Sequence, residues 1–382
     1  MSTLLARQQA RIRVLAQGRR GHAEWEQVCA LLDELSDNEV LAHVQDLETE
    51  LREWAPEFRE TPLRWVKQLE RVGREPRTRL CRVLGLSSNP HLDGLWRVLE
   101  SPDVACIDVL GIGDWGLDAA MMPDLARRLA RVKQLELTGH RIGAGLAHIL
   151  RLSLDGELVS LRADSCGLGH GAFEKMVAEG AATGLSELVL SLNYVSPQDL
   201  EYLARLPGLD RLRKLVLDDK VLAAGVRVLA EQAPLYGLQH LDLGGTQCRD
   251  EGAVLLATAP TFARLEKLSL RGCAITDAGA AALGVATSWT LLRELDLKFN
   301  RITATGVRSL LASTHLPALS RMDLTDNEIG DDLVDVLASC PQVARLTSLV
   351  LDDTYLSNDA RTALQALPLP SGMLDLHLSR ED

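Results

Sequence analysis

The chain has 382 residues, of which 46% are hydrophobic, 25% charged and only 4% aromatic, and its formal net charge is -12. That length is long for one compact core and points to two domains or a repeat array. The charge argues against a nucleic-acid partner, which needs a concentrated basic surface. It is also unevenly placed: residues 1–80 carry 13 Lys+Arg against 14 Asp+Glu, and residues 81–382 carry 28 against 39.

The opening MSTLLARQQARIRVLAQGRR is interrupted by arginine every few residues and has no apolar h-region, so it does not read as a signal peptide. No apolar run in the chain approaches the roughly 20 residues of a membrane span, and no membrane partner is expected. Next come three segments with apolar residues at helical spacing: 22–36, 37–54 and 61–73. Ser36 with Glu39 reads as a capping box opening the second. Pro62 and Gly73 stand where a helix starts and stops. Trp25, Trp54, Trp65 and Trp96 place four of the six tryptophans within the first 96 residues. Residues 1–80 are therefore expected to form a small α-helical domain that caps the rest of the chain or serves as an interaction domain.

From residue 81 the chain repeats. Weaker copies of L-x-x-L-x-L-x-x-(N/C/T) start at Cys81, Val104, Val132 and Leu158. Strong copies start at Leu185, Leu212, Leu238, Leu265, Leu292, Leu319 and Leu346, with spacings of 27, 26, 27, 27, 27 and 27 residues. A terminal copy is read from Met373. Within LRELDL, Leu295 and Leu297 alternate with Glu294 and Asp296, the period-two pattern of a strand with one buried face. The ninth residue (Asn193, Asn300, Asn327, Cys166, Cys273, Thr246 or Thr354) turns the chain outward and is of a type that hydrogen-bonds backbone groups of adjacent coils. A glycine often follows (Gly252, Gly279, Gly306), then a helical stripe; in TDAGAAALGVA, Ala278, Ala282 and Leu283 fit helical spacing and Thr276 fits an N-cap.

One strand and one helix per 27 residues cannot bury their apolar faces alone, but stacked copies can. The pattern resembles the ribonuclease-inhibitor-like class of leucine-rich repeats. That resemblance covers about 300 residues and implies an α/β fold: a right-handed solenoid, or horseshoe, with a concave parallel β-sheet and convex helices. Residues 81–382 are expected to hold about eleven repeats plus a terminal strand. The chain lacks the inhibitor's alternation of two repeat lengths and has few ninth-position cysteines, so the inhibitor's target is not carried over.

Motifs for chemistry are scarce. GIGDWG at 111–116 matches the dinucleotide-binding fingerprint, yet it falls at a strand-to-helix bend, and this architecture has no doubly wound sheet to use it. There is no HExxH, GxSxG, Walker A run or EF-hand loop. Paired acids such as Asp331-Asp332 read as solvated rim. Cysteines at 29, 81, 106, 166, 248, 273 and 340 form no CxxC pair, so free thiols in a reducing, cytoplasmic setting are expected. The chain is read as non-catalytic, with no cofactor and no metal.

The third and fifth residues of each strand unit should face outward on the concave sheet, with the seventh and eighth at its rim. Acids there, among them Asp108, Glu136, Asp219, Asp353 and Asp375, outnumber bases such as Lys214, Lys267, Arg271, Lys298, Arg321 and Arg380 two to one. An acidic face favours a basic protein partner. The residues expected to meet it are Glu187, Asp218, His240, Asp242, Glu294, Asp296, Phe299, Asp323, Asp326 and Asp352. Phe299 is the chosen anchor, because an aromatic at a rim position has no obvious core role. Tyr194, Tyr355 and His377 extend the same surface. The principal expectation is a scaffold that inhibits or recruits its partner. The alternative is a regulator of a partner enzyme, such as a GTPase-activating protein, some of which resemble this fold.

Overall fold

Short strands separated by a constant interval can pair only with their neighbours in sequence, and this dictates the architecture. The computed structural model describes residues 3–17, 20–51, 54–55, 59–86, 92–129, 131–169, 171–218, 220–352, 355–369 and 372–377. Asp219, Asp353, Thr354 and Arg380, assigned by the repeat pattern to the rim and the bends, lie outside the described residues. The chain forms two units, Met1–Cys166 and Gly167–Asp382.

The first unit begins with helices α1 (Thr3–Gln17), α2 (His22–Asp33), α3 (Asp37–Leu51) and α4 (Leu63–Val72). Helix α1 was not expected from sequence; its arginines mask the i,i+4 pair Ile12 and Ala16, both buried. The Ser36 capping box is present, with Ser36 N–H donating to the Glu39 carboxylate at 2.9 Å. Helix α3 leaves helical geometry at His43. Gly73 ends α4 in the left-handed region, φ +76°.

Four parallel strands follow in sequence order: β1 (Val83–Leu86), β2 (Val109–Gly113), β3 (Gln134–Thr138) and β4 (Ser160–Asp164). Between them lie α5 (Leu92–Leu99), α6 (Met122–Arg128) and α7 (Leu146–Leu152). The segment before α4 lies against β1: Glu60 bridges Val83, and Thr61 N–H donates to the Val83 carbonyl at 2.8 Å. Buried Arg59 donates to the Leu80 carbonyl at 2.8 Å and pairs with Glu48, while Trp25 Nε1–H donates to the Glu60 carbonyl at 2.7 Å. The first strand's otherwise open edge, a template for unwanted pairing, is thereby occupied.

The strand register corrects the boundary of the second repeat. Leu110 and Ile112 pair with Leu84 and Leu86, so the second repeat starts at Ile107 rather than Val104. Asp108 therefore sits before the strand, where it pairs with Lys133 at 2.7 Å, and not on the open face. GIGDWG lies half in β2, and only Asp114 and Gly116 take up the positive φ of the bend.

In the second unit α8 (Ala172–Ala178) precedes β5 (Glu187–Val189). Then follow α9 (Pro197–Leu203), β6 (Lys214–Val216), α10 (Leu222–Glu231), β7 (His240–Asp242), α11 (Arg249–Thr258), β8 (Lys267–Ser269), α12 (Asp277–Gly284), β9 (Glu294–Asp296), α13 (Ala304–Leu311), β10 (Arg321–Asp323), α14 (Leu333–Ser339), β11 (Ser348–Asp352), α15 (Asn358–Ala366) and β12 (Leu374–His377). Strands β5 to β12 pair in parallel in that order. Leu188, Leu215, Leu241, Leu268, Leu295, Met322 and Leu349 make one continuous buried row. Leu374 pairs with Leu349, so the last repeat starts two residues before Met373.

Several of the bends share one hydrogen-bond pattern, although Thr246 donates instead to Leu243 of its own coil at 2.7 Å. The ninth side chain donates to the carbonyl of the sixth residue one coil back: Asn300 to Leu270 at 2.9 Å, Asn327 to Leu297 at 2.8 Å and Cys273 to Leu243 at 3.0 Å. In the first unit Trp115 Nε1–H serves Leu86 at 3.3 Å and Cys166 serves Leu137 at 3.5 Å, while His140 Nε2 lies 3.0 Å from the Ile112 carbonyl. Helices are tied from one coil to the next in the same way. Asp277 accepts from Thr303 N–H (2.8 Å), Thr303 Oγ1 (2.7 Å) and Gly306 N–H (3.0 Å), and Asp250 repeats the arrangement on Thr276 and Gly279. In α12 the buried residues are Gly279, Ala280, Leu283 and Gly284; Leu283 is buried as expected, whereas Ala278 and Ala282 are not. Among the described residues no helix is long and apolar enough to cross a membrane.

Candidate protein-binding face

Residues that alternate with the buried row stand on the open side of the sheet, where register sorts them into columns. The first column runs Glu187, Lys214, His240, Lys267, Glu294, Arg321, Ser348, and the second Val189, Val216, Asp242, Ser269, Asp296, Asp323, Val350. A cavity of about 380 Å³ opens across β7 to β11. It brings together five of the expected residues: His240, Asp242, Glu294, Asp296 and Asp323. Lys267, Arg321, Ser269 and Val350 also line it. They were not among the expected site residues, although their column positions in the repeat alignment would have found them.

The first column is bound together across three strands. Glu294 sits between Lys267 at 2.9 Å and Arg321 at 2.6 Å. Burial works against its charge, but these two cations hold its carboxyl below the usual range. The pKa of His240 is lowered as well, by burial and by the nearby Lys214 and Lys267, which here disfavours the charged form and keeps the ring neutral at pH 7.

The second column is anionic and doubles as a strand-end cap. Asp242 accepts the Gly244 N–H at 2.9 Å, Asp296 the Lys298 N–H at 3.0 Å and Asp323 the Thr325 N–H at 3.2 Å. Asp323 also pairs with Lys298 at 3.0 Å. Among the described residues neither Asp242 nor Asp296 is in an ion pair. Burial raises the pKa of Asp296, and the charges of Asp323 and Asp242 add to that, against the Lys298 N–H and ammonium.

The remaining expected residues lie outside the cavity lining. Glu187 heads β5. Asp218 accepts the Leu192 N–H at 2.7 Å, and Asp352 accepts the Asp326 N–H at 2.9 Å, so both serve the backbone of the neighbouring coil. Phe299 is 47% exposed at φ +55°, with the Arg271 guanidinium 4.7 Å from its ring centroid. The eighth position is left-handed in its sister repeats too, at Leu192, Gly245, Gly272 and Asp326. A bulky side chain is costly there and Gly is free of that cost. Tyr194 and Tyr355 are exposed, and His377 closes β12.

Comparison with known proteins bears on the repeat fold. Residues 265–284 and 290–311 match the family described as "Leucine Rich repeat". Among solved structures, the chain is similar to one in the crystal structure of the Rad7 and Elc1 complex from yeast. The TM-score is 0.54 at 17% identity, over 81% of this chain and 77% of that one. An internalin from Listeria monocytogenes gives a TM-score of 0.42 at 17% identity, over 80% and 82% of the two chains. A protein from Bacteroides fragilis gives 0.44 at 16%, over 64% and 75%.

Proposed function

We propose that this leucine-rich-repeat protein is a non-catalytic scaffold that holds a protein partner on the open sheet face of β7 to β11. The observation that carries the reading is the second column. Asp242 and Asp296 are half-buried carboxylates without an ion pair among the described residues, beside side chains already fixed by neighbours. A partner's basic group is the missing complement. The site is preorganised, so little side-chain freedom is lost on docking. Phe299 at the rim supplies an apolar anchor of the kind that dominates interface energies.

Two further features support the reading. The thiols of Cys81 and Cys166 are buried and pushed up to about 12, which suits packing rather than nucleophilic chemistry. All seven cysteines are free, which fits a reducing, cytoplasmic setting. That the Rad7 chain was crystallised in a complex is in keeping with the same use of the fold.

The test is lysine-directed cross-linking in lysate of the source cell, read by mass spectrometry. The partner's cross-links should fall on Lys214, Lys267 and Lys298 and vanish in Asp242→Ser/Asp296→Ser. Cross-links confined to α1–α4, and retained by the variant, would sink the proposal.

A further inference from the structure

The open face is not uniformly acidic, and its charge has a direction. From Lys214 to Arg321 the first column is net cationic, because its single acid, Glu294, lies between Lys267 at 2.9 Å and Arg321 at 2.6 Å and can neutralise only one of them. The second column, two residues further along each strand, carries Val216, Asp242, Ser269, Asp296 and Asp323 within the same window, so its charges are all acidic. The columns are about 7 Å apart, and the window is about 19 Å wide across five strands. Val216 and Val350 bound the anionic column on β6 and β11. A uniformly basic partner would meet Lys214, Lys267 and Arg321 in the same footprint, where like charges oppose docking.

We propose that this face docks an extended protein segment carrying an acidic and a basic side chain two residues apart, the acid over Lys214 and Lys267 and the base over Asp242 and Asp296. In an extended segment, side chains two residues apart point the same way at about 7 Å spacing, which matches the columns. The segment runs along the strands, with its apolar neighbours meeting Val216 or Val350. The proposal rests on the binding reading above and adds to it the partner's charge pattern and orientation.

The experiment pans a displayed library of random dodecapeptides on the full chain at low salt. Recovered peptides are then synthesised and titrated against wild type, Asp242→Ser/Asp296→Ser and Lys214→Ser/Lys267→Ser. Serine already stands in each column, at Ser269 and Ser348, so both variants should fold, and thermal melts check this. The expected result is peptides with acid and base at i,i+2 that lose at least about tenfold in affinity on both variants. Peptides that are basic only, and insensitive to Lys214→Ser/Lys267→Ser, would overturn the two-signed segment while leaving the face as the binding surface. Peptides indifferent to both variants would overturn the inference and the binding reading together.

Discussion

At several bends the carbonyl at the sixth position of a strand unit needs a donor, and the ninth residue of the next coil supplies it in several chemistries. Asn300 shows the fullest case. Its amide donates to Leu270 at 2.9 Å and Leu297 at 2.8 Å, and its carbonyl accepts from Cys273 N–H at 3.1 Å and Ile275 N–H at 2.9 Å. Asn300→Ala should cost about 2–3 kcal/mol, because buried backbone groups lose their partners. Urea unfolding would show it, and a loss below about 0.5 kcal/mol would contradict the ladder. Asn, Cys and Thr at this position were legible in the sequence because their polarity is out of place in an apolar run. Trp115 and His140 were not. Their ring N–H groups do the same work, but as residue types they read as core or as chemistry.

At the level of the element, α12 and α13 are each positioned by an aspartate on the preceding helix and a glycine of their own. A Cβ on Gly306 would lie 2.5 Å from Asp277 Oδ1 and 2.7 Å from Ile302 Cγ2. Gly→Ala in a helix interior ordinarily gains about 1 kcal/mol. Gly306→Ala should instead destabilise by about 1–3 kcal/mol, since the close approach leaves no room. A stabilised variant in chemical denaturation would refute that account. The recurrence of glycine was visible in the sequence; its reason, an aspartate bonded across coils, was not, because the two residues lie 29 positions apart. The slipped second repeat has a similar cause. Val104, Ile107 and Val109 imitate the strand pattern, while glycines at 111 and 113 occupy outward strand positions and hide the true phase.

For the whole molecule, periodicity made the solenoid legible, since stacking is the one way such repeats can bury their leucines. The column positions of Asp242, Glu294, Asp296 and Asp323 were legible too, from the repeat alignment alone, whereas Asp108 was misplaced with its repeat. What the alignment could not reveal is the pairing: which charges cancel depends on register between strands and on side-chain reach. Lys267–Glu294–Arg321 and Lys298–Asp323 are therefore structural findings. A helical cap ahead of the first repeat was expected, but helix α1 and the residues that cover the edge of β1, Glu60 and Thr61, were beyond the sequence, because long-range partners decide both.

Asp296 offers the most direct test, because binding and stability should move in opposite senses. Its carboxyl titrates above the usual range through burial, then through Asp323 and Asp242, against Lys298, with His240, Lys267, Glu294 and Arg321 also lining the cavity. The folded state thus holds this proton more tightly than the unfolded chain. The contribution to stability is greatest at low pH and is lost as pH rises through the folded pKa, so at neutral pH the ionised carboxylate is a cost. Asp296→Asn removes that charge and retains an oxygen to accept the Lys298 N–H. The measurement is calorimetric titration of the cross-linked partner, once identified, into wild type and Asp296→Asn at pH 7, with a thermal melt of each. The account predicts about tenfold weaker binding, about 1.4 kcal/mol, with a Tm at or above that of the wild type. Unchanged affinity in a variant that melts at or above the wild-type temperature would contradict it.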